Sequence, residues 1–388
     1  MTAEFRSIRN GRALLPSGEL AAADIAIEGS AIAAVEPPAG AAARSIDAAG
    51  LLVLPGIVDL HGDGFERQIM PRPGVAFPLD VALVDTDRQL LANGITTAFH
   101  ALTCSWEPGL RGRDTAVRFV ERLAAMRPQF GCDTRLHLRW ETYNLAMIEE
   151  VERWMAAGAV HLLAFNDHLP EMHAKRGDRT AMVKYAERGQ IDVAGFVALL
   201  ERTAAAGPGV PAAIERLARA AAARGIALAS HDDKTAADRQ RYQALGCTIC
   251  EFPMRAEAMA EAMHLRSAVV MGAPNVLRGH SHNGSLDATA AVAEGRCTIL
   301  ASDYYYPAQA LAAFRLVREK IRDLAAAWAL VSRNPARAAG LGDRGEIALG
   351  KRADLVLIDP GPARIPRVVA TIAQGKLVHV AGDAWRFA

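Results

Sequence analysis

The sequence predicts an α/β fold: a (β/α)8 barrel of the TIM type with a small β-sandwich domain built from both termini. Three observations predict it. Eight β-rich runs alternate with helix-like runs through the middle of the chain, and such alternation builds a parallel sheet with helices outside it. Short β runs broken by Gly and Pro stand at both ends of the chain. The length of 388 residues suits one large domain and a smaller one. We expect the barrel over residues 56–344 and the small domain over residues 1–55 and 345–388, since termini usually lie at the surface and often close together.

Near the start, "DIAIEGSAIAAVEPP" reads as short strands with a turn. The barrel strands follow in order: "GIVDLHGD", "GITTAFHA", "TRLHLRWE", "AVHLLAFNDH", "GIALASHDD", "CTICEFP", "AVVMGAPN" and "CTILASD". Between them lie helical patterns such as "DTAVRFVERLAAM", "VPAAIERLARAAAARG" and "TAADRQRYQALG". Several end at Gly, the expected cap. The closing stretch, "GEIALGKRADLVLIDPGPARIPRVVATIAQGKLVHVAG", returns to short β runs.

Composition narrows the function. A net charge of +1 gives no global pull toward nucleic acid or anionic membrane. No apolar run reaches the ~18 residues of a membrane span, and the N-terminus lacks the form of a signal peptide. We expect a cytoplasmic protein, and a homo-oligomer stays open; a small anionic substrate would need a local cluster of Arg. An odd count of five cysteines argues against structural disulfides. Cys247 and Cys250 form a C-x-x-C, but on a strand residues three apart face opposite sides.

The strand ends carry the chemistry. They hold His61 and Asp63 on the first strand, Glu141 on the third, Asp167 and His168 on the fourth, His231, Asp232 and Asp233 on the fifth, and Asp303 on the eighth. His61 and Asp63, two apart, should point to one side. Imidazoles and carboxylates are the ligands that Zn²⁺, Mn²⁺ and Fe²⁺ prefer. A single such residue is commonly a loop hydrogen bonder. Ligand types at five of eight predicted ends are another matter, because a barrel brings those ends to one mouth.

"LPGIVDLHGD", "ILASD" and "GKRADLVLID" resemble the amidohydrolase superfamily. "HGDGFERQIMPRPG", "NGITTAFHA", "RLHLRWE", "ASHDD", "EFP", "MGAPNVLRGHSHNG" and "SDYYYP", in this order, are similar to the PhnM family of the carbon–phosphorus lyase pathway. The resemblance covers nearly the whole chain. It implies a metal-dependent barrel that hydrolyses α-D-ribose 1-methylphosphonate 5-triphosphate, releasing pyrophosphate and the 5-phosphate. Two features depart from the family: "HGDG" stands where its members read His-Thr-Asp-Asn, and the loop Leu169 to Asp192 differs. Such departures are what a divergent subgroup with its own substrate would show.

The resemblance implies one or two divalent ions, Zn first with Mn or Fe as alternatives. Many amidohydrolases bridge two metals with a carboxylated Lys on the fourth strand. Here the six lysines are Lys175, Lys184, Lys234, Lys320, Lys351 and Lys376, none early enough. Glu141 suits the bridging role instead, with a salt bridge to Arg139 or Arg72 as its plain alternative. The implied ligands are His61, Asp63, Glu141, His168, His231 and Asp303, with Asp232 and Asp233 orienting the imidazoles. Asp303 would also take the proton of the attacking water, whose pKa a divalent ion lowers toward ~7. Arg72, Arg278, His282 and Lys234, with Arg67, would supply the positive field that a triphosphate needs. "YYYP" could stack on a ribose or close the barrel rim.

Two rivals remain. One is an amidohydrolase acting on a C–N bond of a cyclic amide or amino-heterocycle, for which an Arg cluster is superfluous. The other is a non-catalytic barrel scaffold, against which the full set of ligand residues speaks.

Overall fold

The computed structural model describes residues 6–36, 45–72, 74–279, 286–361 and 365–382. All eight predicted runs are strands of one parallel sheet, ordered as in the sequence. They are Ile57–Gly62, Ile95–Cys104, Asp133–Glu141, Leu162–Asn166, Ala227–His231, Ile249–Glu251, Ala268–Gly272 and Ile299–Ala301, called here the first to eighth strands. A bridge between Gly62 and Asp303 brings the last to the first. There Asp63 N donates to the Asp303 carbonyl and Asp303 N to the His61 carbonyl, each at 2.8 Å. The result is a nearly closed (β/α)8 barrel.

Strand alternation sorts its core. Val58, Leu60, Leu162, Ala164, Ala229, Ile249, Val270 and Ile299 fill the interior. Leu136, Leu138 and Trp140 of the third strand face outward onto helices. The helix Arg113–Met126 meets them with Ala116, Phe119, Val120, Leu123 and Met126 buried, the three-and-four spacing of one helical face.

The termini add two sheets, one of four strands and one of six. In the larger, Leu355–Asp359 runs antiparallel to Leu52–Pro55, so both ends of the chain share a sheet. Ile8, Ile25 and Ile46 from the smaller sheet meet Val53, Leu355 and Ile372 from the larger in one core, the packing of a β-sandwich.

The segment after the fourth strand differs from its expectation as a loop. It forms three helices, Leu169–Ala174, Arg179–Gly189 and Val193–Ala204. Asp178 and Asp192 cap the second and third through their side chains. Leu169, Met172, Met182, Phe196 and Leu200 give the segment its own small core. The five cysteines are free and buried. No helix among the described residues is long and apolar enough to cross a membrane.

Candidate active site

Alternation alone would turn His61 away from the barrel axis, because Val58 and Leu60 already point inward. Pairing of the first strand with the second shifts register between Asp59 and Gly62. Past that irregularity, both His61 and Asp63 line a cavity. Gly62 makes the turn possible: a Cβ there would lie 2.6 Å from Asp59 Oδ2 and 2.9 Å from Ser302 Oγ. Asp59 itself accepts from Ser302 Oγ at 2.5 Å and Ser302 N at 2.9 Å, which ties the first strand to the eighth.

The cavity measures about 170 Å³ and opens at the carboxyl ends of the strands. His61, Asp63, Arg139, His231, Asp232 and Asp303 supply its polar lining, and Phe252, Met254, Met271 and Pro274 an apolar wall. Asp232, Phe252 and Asp303 have φ of 58°, 49° and 56°. Left-handed backbone is uncommon for residues other than Gly and costs of order 1–3 kcal/mol each; such strain gathers at functional sites. Here it aims three lining residues, just past the ends of the fifth, sixth and eighth strands, at one space.

Behind the lining sits Glu251, fully buried at the end of the sixth strand. His61 Nδ1 lies 3.2 Å from its Oε1 and His231 Nδ1 3.3 Å from its Oε2; His137 Nε2 is 3.5 Å from Oε2. Burial pushes His61 down to about 3 and His137 to about 4, so both rings are neutral at ordinary pH. Burial opposes ionisation of Glu251 too, but the imidazoles around it outweigh that and hold its carboxyl well below the usual range. A carboxylate accepting from Nδ1 of His61 and His231 leaves Nε2 of each ring for a partner in the cavity.

A second pair stands beside the first. Glu141 Oε1 is 2.5 Å from His168 Nδ1, and His168 Nε2 is 3.2 Å from Asp232 Oδ2. Burial lowers His168, but Glu141 and Asp232 overcome it and raise the imidazole to about 10. Burial raises Asp63 to about 7, with Glu66 and Asp303 adding to the shift. Burial likewise raises Asp303 to about 6, helped by Asp59 and Asp232. Neighbouring buried carboxylates of this kind repel one another until a cation joins them.

Arg139 lies within the same space, its Nη1 3.4 Å from Asp63 Oδ2 and its Nη2 3.3 Å from His231 Nε2. Arg67 stands 5.5 Å over the Tyr304 ring.

The donor chemistry fits a divalent cation. Two sets of donors have atoms within 4.8 Å of one another: His61, His231 and Glu251, and His168, His231 and Asp232. Asp63, Glu141 and Asp303 belong to neither set, although Asp63 and Asp303 line the cavity and Glu141 pairs with His168. Of the expected orienting pair, Asp232 meets His168. Asp233 turns away, accepting from Ser230 Oγ at 2.6 Å and pairing with the buried Arg239.

The expected anion-binding residues are dispersed. Arg72 is exposed and Arg278 is exposed at the end of the helix Ala273–Arg278. Lys234, half-buried, lies 3.5 Å from Glu171 Oε2. His282, with His280, Ser281 and Asn283, lies outside the described residues. Two residues of the site go beyond the sequence expectation: Glu251 is absent from the expected ligands, and Arg139 is expected only as a salt-bridge partner of Glu141. Ile249 and Glu251 share the inward face of the sixth strand, and that parity with a carboxylate at the strand end was the available signal.

Comparison with known proteins agrees with this architecture. An amidohydrolase family model matches residues 315–379. The α-D-ribose 1-methylphosphonate 5-triphosphate diphosphatase of Escherichia coli (strain K12) is 32% identical over 370 residues, covering 90% of this chain and 94% of that protein. Among solved structures, N-isopropylammelide isopropylaminohydrolase from Burkholderia multivorans ATCC 17616 matches with a TM-score of 0.65 at 23% identity, covering 97% of this chain and 98% of that one. Dihydropyrimidinase from Brevibacillus agri NCHU1002 matches with a TM-score of 0.58 at 15% identity, covering 96% and 95%. At these identities the two structures share the fold with this chain.

Proposed function

Since this chain belongs to the PhnM family of amidohydrolases, we propose that it is a metal-dependent hydrolase that releases pyrophosphate from α-D-ribose 1-methylphosphonate 5-triphosphate. The observation that supports this reading most is the convergence of imidazoles, carboxylates and a guanidinium on one cavity at the carboxyl ends of the barrel strands. His61, Asp63, Glu141, His168, His231 and Asp303 would hold one or two divalent ions, Zn first. A bound divalent ion polarises a phosphoryl oxygen and lowers the pKa of water.

The chain's own residues do the rest. Glu251 fixes the tautomers of His61 and His231 by accepting at both Nδ1 atoms. The ionised carboxylate of Asp303 takes the proton of the attacking water, a role that suits a buried acid raised to about 6. The apolar wall of Phe252, Met254, Met271 and Pro274 limits water at the reacting centre.

A second reading, hydrolysis of a C–N bond in a cyclic amide or amino-heterocycle, draws on the cavity's size. About 170 Å³ with one apolar wall suits a small ring. The deciding assay presents metal-loaded protein with the ribose triphosphate and with a panel of cyclic amides and amino-heterocycles. Pyrophosphate release with the amides inert is expected. An amide turned over at kcat/KM above ~10⁴ M⁻¹s⁻¹, ordinary for a true substrate, beside an inert triphosphate would overturn the diphosphatase reading in favour of the second.

A further inference from the structure

We propose that Arg139 grips the substrate's phosphoryl group, so that anion recognition begins inside the cavity and not at the Arg-bearing loops of its rim; the inference rests on the phosphate-ester reading above. Arg139 shares the inward face of the third strand with His137 and Glu141 and is 6% exposed. A guanidinium is costly to bury unless its donors are used. Even the fully buried Arg239, whose Nε also lacks an acceptor among the described residues, donates through Nη1 and Nη2 to Ser230, Asp233 and the Cys247 carbonyl. Arg111 forks onto Glu66 at 3.0 and 2.9 Å. Arg188 forks onto Glu107 at 3.0 and 2.7 Å.

Arg139 has no such fork. Its Nη1 donates to Asp63 Oδ2 over 3.4 Å, and its Nη2 faces an imidazole nitrogen of His231 at 3.3 Å. Its buried Nε has no acceptor among the described residues. The guanidinium thus brings poorly used donors to the wall of a cavity that also holds His61 and Asp303. A tetrahedral anion offers what is missing, two or more oxygens in the spacing of the fork. The competing cations are placed less well: Lys234 is engaged by Glu171, while Arg72 and Arg278 are exposed, where solvent and salt screen a charge.

The test is a titration of inorganic phosphate into full-length, metal-loaded protein, run beside metal analysis, thermal melting and the triphosphate assay. Arg139→Met should bind phosphate more than tenfold more weakly, with metal content unchanged and KM for the triphosphate raised. Arg139→Lys, which keeps the charge and loses the fork, should recover part of the affinity. It also serves as the readable variant if Arg139→Met does not fold. Phosphate affinity equal to wild type in both variants, in a protein that releases pyrophosphate, would overturn this inference alone. Loss of metal together with phosphate affinity would assign Arg139 to holding the metal pocket and overturn it too. A wild type that hydrolyses only amides would bring down the wider reading and this inference with it.

Discussion

Glu251 shows how a single side chain can organise a site it does not line. One carboxylate with its two oxygens on His61 and His231 sets both ring orientations and both tautomers. Glu251→Gln keeps the shape but offers only one acceptor oxygen, so its amide must face one imidazole with an N–H. We expect metal affinity to fall by about 10–100-fold, the usual cost of removing such a support, with the fold retained. Metal competition against a chelating dye measures it, and unchanged affinity would show that the rings do not depend on Glu251. His61, Asp63, His231 and Asp303 were legible in the sequence because each is a ligand-type residue at the end of a recognisable strand. Glu251 was not. Its meaning comes from imidazoles on the first, third and fifth strands, which only barrel closure brings around it. The turn that points His61 inward was equally hidden, since it is a pairing irregularity between two strands.

At the scale of elements, the three-helix segment after the fourth strand begins directly behind His168. It is latched to the loop after the second strand by Arg188, which forks onto the buried Glu107. Removing the guanidinium leaves the buried Glu107 without its cation; because Arg188 itself is about a third exposed, the loss is that of an unsatisfied buried acceptor, about 1–3 kcal/mol, below that of a fully buried pair. Arg188→Ala should therefore speed limited proteolysis between residues 169 and 204 while the barrel stays resistant. Equal cleavage rates in variant and wild type would mean that the segment is held by its own core alone. These helices were not legible as such. They span 6, 11 and 12 residues, too few turns for a strong periodic signal, and Gly and charged residues interrupt them. The barrel strands were legible because β-rich runs recur between longer amphipathic ones.

On the scale of the whole molecule, the two ends of the barrel do different work. At the amino end of the third strand, Asp133 gathers Arg127, Arg135, Arg344 and Arg352. Burial alone would raise its carboxyl, but Arg135, Arg344 and Arg127 hold it far below the usual range. Arg344 and Arg352 come from the stretch leading into the C-terminal strands, so this cluster fastens the sandwich to the barrel. Trp328 adds a second tie, its Nε1 donating to the Pro55 carbonyl at 2.9 Å. Stability devices at one end and strained, mutually repelling acids at the other follow the division of labour expected of such barrels. The acidic and imidazole mouth, we propose, is built around a divalent cation. Elemental analysis of full-length protein, purified after growth in medium supplemented with Zn, Mn and Fe, tests it most directly. About one to two ions per chain are predicted, with the content lost in His231→Ala, whose ring belongs to both donor sets. Protein that contains no metal yet hydrolyses its substrate, or a His231→Ala variant with full metal content, would show that the mouth is not built around a metal ion.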